Sequence, residues 1–133
     1  MLSRVALFAG CSRSELEFLI TRTDEVDAEA GRTLIRQGRP ADTFYVLLEG
    51  EATVEVDGRM RPPLQPGSFF GEISMLDGGP ATATVVTTTP ARLMVMSHTQ
   101  FRDAIKANER LLLQVMRAMA ERLRRDSLDR EPA

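Results

Sequence analysis

Residues 69–85 read FFGEISMLDGGPATATV, and this stretch gathers the side chains best suited to chemistry. Gly71 removes a Cβ, so backbone can approach a ligand closely. Glu72 opens a short predicted helix through Ile73, Ser74, Met75 and Leu76, where its carboxylate can accept a hydrogen bond from a hydroxyl. The N–H groups at such a helix start lack intrahelical partners and favour an anion. Asp77-Gly78-Gly79-Pro80 reads as a turn that returns Ala81, Thr82 and Ala83 to the same place, where the Thr82 hydroxyl and the Ala83 N–H can donate. Each residue also has a plainer role. An acidic side chain in a first helical turn stabilises that helix whatever binds. Gly67, Gly71, Gly78 and Gly79 serve turns in any β fold, and Thr82 and Thr84 are good strand formers.

Catalytic constellations are thin elsewhere. His98 is the single histidine, so a histidine-based metal site lacks its usual ligands. Cys11 is the single cysteine, remote in sequence from His98 and placed in a predicted helix, which leaves a Cys/His nucleophile pair with little support. Glu49, Glu51 and Glu55 read as solvent-facing charges. No Gly-Lys-Ser/Thr follows the glycines, so they do not form a Walker loop. The chain reads as a non-enzyme with no metal and no cofactor.

The elements that must position the 69–85 stretch fit one domain. With 133 residues, 43% hydrophobic and 27% charged, the chain has the makings of a single globular unit. A formal net charge of -2 supplies no global basic field for nucleic acid. One cysteine allows no intrachain disulfide, no apolar run approaches a membrane span, and no basic-then-apolar leader opens the chain. These features give the expectation of a cytoplasmic protein.

Three parts follow in order. Residues 1–24 carry apolar residues at helical spacing (Val5, Leu7, Phe8, then Leu16, Phe18, Leu19 and Ile20), with Ser12 or Ser14 as cap and Glu15 and Glu17 in the first turn. Residues 25–97 are short apolar runs cut by glycine and proline. Asp57-Gly58 between alternating segments predicts a hairpin, Pro62-Pro63 and Pro66-Gly67 predict tight turns around Leu64, and Thr82–Thr88 and Arg92–Met96 predict strands. Such turn-rich strands predict an antiparallel β-roll, jelly-roll-like, rather than a parallel sheet. Residues 98–126 are helical, capped at Ser97 or Thr99 and again at Asn108, and residues 127–133 form a polar tail. Leu112, Met116, Met119 and Leu123 make an apolar stripe that either packs on the roll or serves as a dimer seam.

Short helices, about eight short strands, a long last helix and FGEIS at the centre make the chain resemble the cyclic nucleotide-binding domain family. This is the regulatory module of catabolite-activator-type transcription factors, cyclic-nucleotide-gated channels and cAMP-dependent kinases. The likeness rests on the Gly31…Gly38 loop, Tyr45-Val46-Leu47-Leu48-Glu49-Gly50, Pro66-Gly67-Ser68-Phe69-Phe70-Gly71-Glu72 and Pro80-Ala81-Thr82-Ala83-Thr84-Val85. It implies a ligand site built from Gly71, Glu72, Ile73, Ser74, Ala81, Thr82 and Ala83, with Glu72 on a ribose hydroxyl. It also implies a long helix that transmits the presence of the ligand. In the family the residue after the proline is an arginine that pairs with the cyclic phosphate; here it is Ala81. A charge-assisted guanidinium–phosphate pair fixes both affinity and orientation, so its loss weakens or alters binding unless another arginine, Arg36 or Arg92, reaches in.

Two functions are compatible with this reading. One is a signal-transducing sensor whose β-roll binds a cAMP- or cGMP-like ligand and moves the C-terminal helix, to which Arg122 or Arg125 can add a contact. The other is a ligand-free interaction module that dimerises or docks through the Leu112-Met116-Met119-Leu123 stripe. The expected partners are a small ligand, a second copy and an output protein, with no membrane. Direct DNA binding is disfavoured because a helix-turn-helix domain would follow residue ~125.

Overall fold

A computed structural model describes residues 6–8 and 10–130, and side chains at 7, 8 and 10–125. The expectation for Val5 lies outside the described residues. After a short 3-10 turn at Ala6–Phe8, the chain runs α1 (Arg13–Ile20), β1 (Asp24–Ala28), β2 (Thr33–Ile35), β3 (Thr43–Glu49), β4 (Ala52–Val56), β5 (Arg59–Leu64) and β6 (Phe69–Phe70). Then come α2 (Glu72–Asp77), β7 (Thr84–Thr87), β8 (Ala91–Ser97), α3 (His98–Ala107) and α4 (Glu109–Arg130). The strands form two antiparallel four-stranded sheets in the orders β1-β8-β3-β6 and β2-β7-β4-β5, as a β-roll requires.

Helix starts follow the caps. Ser12 Oγ accepts the Glu15 N–H at 3.2 Å while Glu15 accepts the Ser12 N–H at 2.7 Å. Ser97 and Gln100 make the same reciprocal pair at 3.2 and 2.8 Å. Asn108 Oδ1 accepts from the N–H groups of Arg110 and Leu111, at 3.1 and 3.2 Å, and so starts α4.

The first sheet is covered on both faces, which is why β3 and β8 read as nearly continuous apolar runs. Phe44, Val46, Met94 and Met96 point to the helical layer, where they meet Phe8, Leu19, Phe101, Leu111 and Val115. Leu47 and Leu93 point into the roll and meet Ala52, Phe70 and Val85. Phe44 lies between Phe69 and Phe101, with ring centroids 5.7 and 4.8 Å away, and joins β6 to α3. β6 is therefore held from both sides just before the residues that carry the chemistry.

Several expectations change. The Asp57-Gly58 hairpin forms between β4 and β5, both residues at positive φ (52° and 79°), as a primed turn needs. Pro62 and Pro63 are not a turn but lie inside β5. This is possible because β5 is the edge strand of its sheet and the register shifts opposite it between Ala52 and Val54, so the missing N–H groups break no ladder. β1, with the sequence DEVDA, was not expected as a strand; it is an edge, and its acidic side chains are exposed. α4 continues to Arg130, past the expected end at 126, and residues 131–133 lie outside the described residues. Its buried positions are Leu111 and Val115 rather than the expected stripe, of which Met116 and Leu123 are 53% and 66% exposed.

Leu93 is fully buried between the sheets, so Leu93→Ala should cost about 2–5 kcal/mol in urea denaturation with an unchanged m-value. Glu25→Ala on the exposed edge should stay within about 0.5 kcal/mol of the native chain, and equal losses at the two positions would contradict this placement of the core.

Candidate functional site

The roll encloses a cavity of about 390 Å³. One wall is the segment from Gly71 to Ser74 together with the returning turn at 81–83, so the seven expected site residues all line it. The opposite wall is the sheet residues Val54, Val56, Leu64 and Val85, and the cover is α4 through Met119, Arg122, Leu123 and Arg125.

The turn is placed by backbone. The Ala81 N–H donates to the Arg39 carbonyl at 2.9 Å, and the Ala81 carbonyl accepts the Gly38 N–H at 2.9 Å. Gln37 N–H donates to Thr84 Oγ1 at 3.0 Å, and the Gln37 amide exchanges two bonds with Asp57 at the hairpin tip. Ala81 thus has a fixed backbone and a side chain on the cavity wall, where it is 5% exposed. Thr82 is exposed and Ala83 half-buried, both on the same cavity.

Gly71 has a reason different from the one its sequence gives. Its φ is 89°, and a Cβ there would lie 2.5 Å from the Thr43 carbonyl oxygen. The missing side chain makes room for β3, whatever lies in the cavity that Gly71 also lines. At the other end of α2, His98 places Nε2 3.0 Å from the Met75 carbonyl and donates to it, tying α2 to the start of α3.

Glu72 is 2% exposed, the one buried carboxylate among the described residues. The Arg122 guanidinium, fifty residues on in α4, donates one N–H to Glu72 Oε1 and another to the Phe69 carbonyl. Its carbon sits 4.8 Å from the centre of the Phe69 ring, within cation–π range. The expected rescuers are not there. Arg92 pairs with Asp27 at 3.1 Å on the other side of the roll, and Arg36 is exposed away from the cavity. The cavity's arginines are Arg61, Arg122 and Arg125. Arg61 escaped notice because its reach depends on the register that sets it opposite Val54, a residue of the cavity wall.

Burial pushes the Glu72 carboxyl up from its ordinary value of 4.5, while the Arg122 guanidinium pulls it back down. A raised folded-state value means that Glu72 favours folding fully only below the ordinary carboxylate range. That contribution is lost as pH climbs through the raised value. Glu72→Gln removes the titration. Relative to the native chain, this variant should gain stability as pH rises from the ordinary value of 4.5 towards neutrality, measured by urea denaturation at a series of pH values. A difference that stays flat with pH would contradict the burial of a charged carboxylate.

Comparison with known proteins agrees with this geometry. Residues 25–108 match the family model for the cyclic nucleotide-binding domain. The chain is 31% identical over 130 residues to a CRP-like cAMP-activated global transcriptional regulator of Mycobacterium tuberculosis, covering 94% of this chain and 58% of that protein. The chain therefore spans a little over half the length of that relative. A catabolite activator protein of Thermus thermophilus superposes with a TM-score of 0.85 at 23% identity, covering 92% of this chain and 60% of that one. A structure described as Sp-2Cl-cAMPS bound to PKAR CBD2 gives 0.82 at 20% identity, covering 99% and 89%. The roll, the lined cavity and the family match together place this chain in the cyclic nucleotide-binding domain family, a family of regulatory modules.

Proposed function

We propose that the chain is a cytoplasmic ligand sensor whose cavity reports its occupation through α4, with altered affinity for cyclic nucleotides. The observation that carries this reading is that one cavity has Gly71–Ser74 and 81–83 on one side and α4 on the other, with Glu72 and Arg122 as the bond between them. A ligand shifts α4 only by the difference between its affinities for the two arrangements, and a group that competes for Glu72 or for Arg122 has such a difference built in. The moved helix then signals to an output protein or domain.

The ligand preference follows from position 81. Removing one partner of a buried charge pair costs about 2–5 kcal/mol, or roughly 30- to several-thousand-fold in affinity. Backbone dipoles near a helix end return only about 0.3–2 kcal/mol. Cyclic nucleotides are accordingly weak ligands of the native chain. A second reading, a ligand-free module that pairs with another copy, draws on the outer face of α4, where Leu113 and Met116 are 52% and 53% exposed.

Isothermal titration with cAMP and cGMP separates the two. The native chain should give weak or no heat, and Ala81→Arg, whose side chain would project from a wall already fixed by backbone, should bind at least about 30-fold more tightly and raise the melting temperature on saturation. Tight native binding would contradict the dependence on position 81. No gain from the arginine would favour the ligand-free module.

A further inference from the structure

Among the described residues, no side chain offers the cavity a buried and uncommitted cation. Arg122 gives one N–H to Glu72 and another to the Phe69 carbonyl, with its guanidinium carbon 4.8 Å from the Phe69 ring centre. Arg61 already has an interaction within the chain. Arg125 is exposed, so its guanidinium keeps its water and a charge pair there gains little. The buried charge on the wall is a carboxylate, Glu72, which Arg122 neutralises. An anion placed beside it would give up its own hydration and find no partner in exchange.

Most of the remaining wall is apolar. Ile35, Val54, Val56, Leu64, Phe70 and Met119 surround the space, and Ala81 adds a methyl group from a backbone bonded to Gly38 and Arg39. Ser74 is the exception. It is 4% exposed and lines the cavity, and no described residue hydrogen-bonds its hydroxyl. A helical serine can turn its hydroxyl back onto a carbonyl one turn earlier, and this one does not. No buried polar side-chain atom among the described residues is sealed off without a partner, so the Ser74 hydroxyl keeps one open side, onto the cavity. The other wall hydroxyls differ: Ser68 Oγ accepts the Gln65 N–H at 3.3 Å, and Thr82 is exposed.

We infer that this cavity takes a neutral, largely apolar molecule of one or two rings that carries one oxygen, held by a hydrogen bond from Ser74 Oγ. This rests on the reading of the cavity as a ligand site and names the class of ligand. A volume of about 390 Å³ suits a molecule of that size. Burial against the apolar wall supplies affinity, and the serine supplies orientation. A plain hydrocarbon would cover the hydroxyl and leave it unpaired, so an oxygen opposite it is preferred.

Equilibrium dialysis of the full chain against three naphthalenes of similar shape tests this: 2-acetylnaphthalene, 2-ethylnaphthalene and 2-naphthoate. The ketone should bind tightest, with the hydrocarbon about three- to ten-fold weaker, the range of one net hydrogen bond. The carboxylate should bind at least about ten-fold more weakly than the hydrocarbon, because its charge finds no partner. Ser74→Ala removes a hydroxyl that no described residue uses, so the fold should stand. It should bring the ketone down to the level of the hydrocarbon and leave the hydrocarbon unchanged. The carboxylate comparison needs no variant, so it decides even if Ser74→Ala unfolds. If the carboxylate binds as tightly as the hydrocarbon, the inference is overturned while the cavity stands as a ligand site. The same holds if the ketone has no advantage on the native chain, or keeps it in Ser74→Ala. If none of the three binds but cAMP binds Ala81→Arg, the neutral class falls alone. If cAMP fails there too, the ligand-site reading falls with it.

Discussion

A carboxylate buried at 2% exposure has to be met by a cation, and among the described residues the one that meets Glu72 comes from α4. Isolated in a low-dielectric interior, such a charge costs far more than a protein's margin of stability, so the segment that carries it constrains whatever lies above it. Arg122 answers with three contacts at once: the carboxylate, the Phe69 carbonyl and the face of the Phe69 ring. A planar guanidinium can do this where an ammonium could not. Its side chain is still 34% exposed, so part of its charge is solvated and the pair is not sealed. That combination, one partner fixed in the wall and the other at the border of solvent, is what makes the contact a candidate for a movable joint rather than a permanent brace.

The rest of the molecule can be understood as holding the fixed half of this pair. β6 is only two residues long, yet Phe69 reaches the aromatic cluster of the helical layer while Phe70 stacks on Tyr45 at 4.8 Å within the roll. The two rings pin adjacent residues to opposite faces of one sheet. Gly71 then turns the chain against the Thr43 carbonyl, and Glu72 emerges with little freedom of placement. Beside it on the same wall, the ladder between 38–40 and 80–81 fixes the returning turn. Position 81 is thus set by backbone hydrogen bonds, so its side chain projects from a fixed wall.

What the sequence disclosed follows from which interactions are local. Ser12 with Glu15, Ser97, and Asp57-Gly58 signal their roles within a few residues, and the structure has them in those roles. The seven residues on the cavity wall were legible because a glycine-bounded turn and a short helix are compact in sequence. What escaped was long-range. Nothing near Arg122 announces a partner fifty positions earlier, and nothing near Arg61 says that the register of β5 aims it at a cavity. The buried face of α4 escaped for a related reason. Apolar residues occur on more than one face of that helix, and only packing against Phe8 and Phe101 selects Leu111 and Val115 as the buried set. Pro62 and Pro63 looked like turn residues because their place on an edge strand is a property of the sheet and not of the dipeptide.

The claim most directly open to measurement is that Glu72 and Arg122 act on one another across the cavity. A double-mutant cycle with Glu72→Gln, Arg122→Gln and the pair, each unfolded in urea at neutral pH, isolates that coupling from the separate effects of the two changes. The account predicts an interaction of about 1–3 kcal/mol between the two sites. Strict additivity, with the double variant losing the sum of the two single losses, would contradict it and leave α4 as a helix that merely lies over the roll.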